Sequence, residues 1–168
     1  MENQLRKLCL WWVYLAGILL LIIILTTVID ISASGIDRIV RNYGYSVEGL
    51  PGYEDLVRLL VSSIALMFFP WTQLERGHIS VEFFTDSLST KWLMILDKIW
   101  LSLTFCLVIF LMIMMYFGML ESKGDNALSR ILGWEEWRFY IPGLISLFLW
   151  ALVLIYQILF EKRGHVHA

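Results

Sequence analysis

Charge is what this sequence has least of: Asp, Glu, Lys and Arg make up 17% of its 168 residues, against 59% hydrophobic residues. A soluble domain of this size needs more charge to cover its surface, so the composition excludes a water-soluble globular protein and points to one embedded in a bilayer. Charge is short in both signs. The net charge is -2, and acids and bases fall in short clusters with no basic stripe, which argues against nucleic acid as a partner. Cysteine is scarce as well. Cys9 and Cys106 both sit in apolar runs, where each reads as a small buried hydrophobe rather than half of a disulfide or a metal ligand. The histidines, His78, His165 and His167, all lie outside the long apolar runs, which leaves nothing to hold a haem between facing helices, and no cofactor is expected. Internal repeats and low-complexity linkers are lacking too, so residues 1–168 are read as a single domain.

What the sequence does have is four apolar stretches. Residues 8–29 form an uninterrupted run of roughly 22, enough to span ~30 Å of hydrocarbon, and exceed the ~7 to 15 residues of a signal-peptide core; the run is read as a retained helix. Further spans are expected at about 56–74, 99–120 and 139–160. Between the first two spans, Ile36, Ile39 and Val40 alternate with Asp37, Arg38 and Arg41 at helical spacing, which predicts a short interfacial helix followed by a turn. In the second span Pro70 marks the place for a kink or break, and Ser62, Ser63 and Ala65 suggest close helix packing. Residues 75–91 mix charge with Ile79, Val81, Phe83 and Phe84 in a pattern that fits a short strand or an interfacial segment. Most tryptophans fall near span ends as interface markers, whereas Trp150 is mid-span and is expected to pack against a helix. The fold class is thus an all-α integral membrane protein, with four transmembrane helices and short interfacial segments in the loops. Basic residues adjoin both termini, which favours a cytoplasmic location for each.

Solute carriers and proton relays need polar or ionisable groups near the bilayer midplane. Here the midpoints read Gly17-Ile18-Leu19-Leu20, Leu107-Val108-Ile109-Phe110 and Phe148-Leu149-Trp150-Ala151, and only Ser62 and Ser63 offer hydroxyls at the middle of the second span. Such a chain suits packing, anchoring or scaffolding beside another membrane subunit, with no catalytic or metal site expected. The charges instead gather at the two mouths of the second span. At one mouth Glu54 and Asp55 precede Arg58 by four and three residues, so both carboxylates can share its helical face and pair with it, either as a snorkelling arginine with helix-end acids or as a partner contact. At the other, Glu75, His78 and Glu82 have helical metal-ligand spacing, but no second histidine or cysteine joins them.

The stretch Tyr53-Glu54-Asp55-Leu56-Val57-Arg58, the span after it, and Arg76-Gly77-His78-Ile79-Ser80-Val81-Glu82 together resemble the small membrane subunit of tripartite ATP-independent periplasmic (TRAP) transporters, the DctQ-like family. Length and span number are similar to that family over the whole chain, and the residue-level similarity is concentrated between positions 53 and 82. Ser62-Ser63 and Phe69-Pro70-Trp71 depart from its usual pattern. The resemblance implies a bacterial inner-membrane scaffold of a sodium-coupled importer of organic acids. Such a scaffold braces a large elevator-type membrane subunit that works with a periplasmic solute-binding protein. Glu54, Asp55, Arg58, Arg76 and His78 are the candidate structural or partner-contact residues. Two other classes fit the same composition, a membrane anchor of a redox enzyme and a four-span assembly factor.

Overall fold

The computed structural model describes residues 2–75 and 90–160. Helix α1 spans Glu2–Val40 and tightens into a 3-10 turn at Arg41–Tyr43; α2 spans Tyr53–Leu74, α3 Thr90–Gly124, and a second 3-10 turn at Glu136–Phe139 leads into α4, Tyr140–Phe160. All four helices are long and apolar enough to cross a membrane, and no strand occurs among the described residues. The expected strand or interfacial segment at 75–91 lies mostly outside the described residues.

In place of a separate interfacial helix after the first span, α1 continues without a break to Val40. No proline interrupts this stretch, and the apolar positions 36, 39 and 40 keep the helical period. Its 39 residues reach roughly 58 Å at ~1.5 Å per residue, nearly twice the hydrocarbon thickness, so α1 projects beyond the bilayer or crosses it at a steep tilt. Gly44 ends the helix in the left-handed region (φ 82°), where a side chain is disfavoured. The chain then folds back along the outer part of α1, held by two of its carboxylates. Asp37 accepts a hydrogen bond from the Val47 N–H (3.0 Å), and buried Asp30 accepts one from the Leu50 N–H (2.9 Å). In α2, Pro70 is accommodated inside the helix, which runs on to Leu74.

Spatial order differs from chain order. α2 packs on α1 and on α4, and α4 packs on α3, so the helices lie in the sequence α1, α2, α4, α3. Arg6 at the start of α1 meets Glu75 at the end of α2, making that pair antiparallel. Between α2 and α4, by contrast, partners rise together along both helices: Ser63 bonds to Phe139 at the entry to α4, and Gln73 to Gln157. The central pair is parallel. One core, built around Ala16, Ile23, Ile64 and Met67, glues α1 to α2. The other, around Val108, Leu147, Trp150 and Leu154, joins α3 and α4 and receives Leu66 and Phe69 of α2. Trp150 stacks on Phe69 at 4.7 Å between ring centroids, the helix contact expected of it. Burial follows this order: 44% of the most apolar window around α4 is enclosed against 6% of that in α3. Cys9 is buried, whereas Cys106 on α3 is exposed, contrary to its expected burial, because α3 offers only one side to the rest of the chain.

Candidate functional site

The charges of the second span's first mouth are assembled by three elements. Gly52, in the left-handed region (φ 85°), turns the chain into α2, and a Cβ there would run into the Leu132 side chain. This close approach lets the loop between α3 and α4 sit over the first turn of α2. Asp55 is buried beneath it and accepts hydrogen bonds at one oxygen, Oδ2, from two successive backbone N–H groups, Ile131 (2.7 Å) and Leu132 (3.1 Å). An ionised carboxylate offers only acceptors, so it suits a loop that presents two free donors. The loop is held within itself as well, by the Ser129 N–H donating to the Trp134 carbonyl (2.9 Å) and the Trp134 N–H to the Ser129 hydroxyl (3.1 Å).

One turn further along α2, Arg58 donates from Nη2 to Glu136 at 2.5 Å, and beyond it Ser63 donates to the Phe139 carbonyl. Arg58 therefore forms its ion pair with a residue 78 positions away instead of with Glu54 or Asp55. Asp55 is turned toward the loop, and Glu54 is exposed with no hydrogen bond or ion pair among the described residues. Arg76 and His78 lie outside the described residues, as does Glu82. The assembled end of the molecule is a latch: it ties the loop from α3 to α4 onto α2 at Asp55, Arg58 and Ser63. Aromatic rings flank it, with Lys123 4.9 Å from the Trp137 ring centroid and Trp134 stacked on Phe139 at 5.9 Å.

A second polar cluster, with no counterpart among the sequence-based candidates, lies toward the opposite end of α2 and α4. Gln73 donates to the Gln157 side chain (2.8 Å), Gln157 donates back to the Gln73 carbonyl (3.0 Å), and the Trp150 indole donates to the Gln73 side-chain oxygen (3.3 Å). All three residues are buried. The Trp12 indole similarly donates to Ser146 (2.9 Å), whose own hydroxyl donates to the Pro142 carbonyl (2.7 Å), tying α1 to α4. The signal for the amide cluster was present in the sequence as two glutamines inside the expected apolar spans. Their being partners was not, since 84 residues separate them. Among the described residues no group of three His, Cys, Asp or Glu side chains is placed to hold a metal ion.

The family model for the DctQ component of tripartite ATP-independent periplasmic transporters matches residues 39–163, well over half of the 168-residue chain. The match takes in the latch, the amide cluster and helices α2 to α4, and begins at the end of α1. No curated protein and no solved structure matches the chain.

Proposed function

Since the chain belongs to the family of DctQ components of tripartite ATP-independent periplasmic transporters, and is thus a multi-pass membrane protein working with other transporter subunits, we propose that it is the non-catalytic scaffold subunit of its complex. In this reading it braces a large elevator-type membrane subunit, which holds the sodium and substrate sites and imports organic acids delivered by a periplasmic binding protein. It resides in a bacterial inner membrane with both termini cytoplasmic, which places the latch at the outer face. One observation carries the reading: four polar side chains placed within or beside the apolar helices hold one element to another. Ser63, Gln73, Ser146 and Gln157 each bond across from one element to another. A moving carrier needs polar groups left open for cargo, and a brace needs them closed on one another.

Reconstitution into liposomes with and without an inward-directed sodium gradient tests the proposal. The chain alone is expected to move no organic acid, and uptake is expected only when the large membrane subunit and the binding protein are added. Uptake by the chain alone, or failure of any large membrane protein to co-purify with it, would overturn the scaffold role. A haem absorption band in the purified chain would replace it with the redox-anchor reading.

A further inference from the structure

Beside the latch, the Arg58–Glu136 pair borders a half-open cavity of about 230 Å3 between α2, α3 and α4. Its walls are of two kinds. Leu59 and Met115 are apolar, whereas Ser62 and Tyr140 add hydroxyls to the two charges. Glu136 occupies one nitrogen of the Arg58 guanidinium, which leaves most of its five N–H donors available, and the Arg58 side chain is 52% exposed. The Ser62 and Tyr140 hydroxyls make no hydrogen bond among the described residues. At a membrane-embedded surface, hydroxyls and guanidinium donors need partners that hydrocarbon does not supply. The depth suits an amphiphile, because Trp134 and Trp137 lie at the same end and Ser62 lies one turn below Arg58.

The charge pattern selects the headgroup. A purely anionic group placed against Arg58 meets Glu136 beside it, and a purely cationic one meets Arg58. A group carrying both signs satisfies both. A primary ammonium gives the carboxylate N–H donors, which a quaternary ammonium lacks. We propose that this cleft is a binding site for an ethanolamine phospholipid, with its phosphate on Arg58, Ser62 and Tyr140, its ammonium on Glu136, and its acyl chains along Leu59 and Met115.

Native mass spectrometry of the full chain, extracted from bilayers holding equal amounts of phosphatidylethanolamine, phosphatidylcholine and phosphatidylglycerol, tests the site. Phosphatidylethanolamine is expected to be retained about tenfold over either competitor, the scale of one charge-assisted hydrogen bond. The double variant Ser62→Ala/Tyr140→Phe removes only unpartnered hydroxyls and is expected to reduce that retention severalfold. Soluble phosphoethanolamine at equal concentration is expected not to displace the lipid. Equal retention of all three lipids, preference for phosphatidylglycerol, unchanged retention by the double variant, or displacement by the soluble headgroup would each overturn the assignment. The lipid competition on the unaltered chain keeps the proposal testable even where a variant fails to fold.

Discussion

At the scale of single residues, neighbours in sequence take different work. Glu54 and Asp55 both lie in the first turn of α2, yet one faces outward and the other is buried under two backbone donors of a loop 76 and 77 residues away. Replacing Asp55 by Ala leaves the Ile131 and Leu132 N–H groups without their acceptor, whereas Glu54→Ala removes no bond seen among the described residues. Amide hydrogen exchange is expected to quicken by about tenfold or more at positions 131 and 132 in Asp55→Ala and to stay unchanged in Glu54→Ala; equal exchange in the two variants would remove Asp55 from the latch. Arg58 differs from the exposed Lys98 in the same way, since it has a partner on another element. Exposed ion pairs contribute only about 0 to 1 kcal/mol in water, so the expected effect of losing Arg58 is on loop position more than on overall stability. Arg58→Ala is expected to lower uptake by the assembled transporter more than Lys98→Ala at matched expression, and equal uptake would deny Arg58 a special role.

At the scale of elements, the amide cluster sets the register of the parallel pair α2 and α4. Apolar side chains allow two helices in lipid to slide past one another at small cost, because hydrocarbon solvates them about as well as a neighbouring helix does. Gln73, Gln157 and Trp150 close their bonds together at one axial offset only, so sliding leaves buried amides unpaired. Gln73→Leu is expected to destabilise the folded chain by about 1 to 2 kcal/mol, and Gln73→Leu/Gln157→Leu by less than the sum of the two single changes. Reversible unfolding in mixed micelles measures both; additive losses would show that the two amides act independently. In α1 the element-scale departure is its length. The same helical spacing that predicted a separate short helix is satisfied by an uninterrupted one, since nothing between residues 29 and 41 stops a helix.

At the scale of the whole molecule, the order α1, α2, α4, α3 puts the two most enclosed helices at the centre and leaves wide apolar faces on α1 and α3 for lipid or for another subunit. It also makes topology testable. Four crossings place the loop around Asp125 and Asn126 on the side opposite the chain's ends. An alkaline phosphatase reporter is expected to be active when inserted at 125–126 and inactive when fused after Arg163, and the reverse pattern would invert the orientation.

The sequence by itself determined that this is a helical membrane protein with four long apolar helices, because hydropathy over some twenty residues is a local property that a bilayer reads directly. It also pointed to Arg58 and Asp55 as positions of consequence, since charges beside an apolar run are conspicuous. Only the tertiary structure decided their partners. Glu136 for Arg58, the 131–132 backbone for Asp55 and Gln157 for Gln73 are separated by 76 to 84 residues. Helices apolar on nearly every face carry little periodic signal of which side meets which neighbour. The packing order and these pairings arise instead from the need of each buried polar group to find a partner where no water is available.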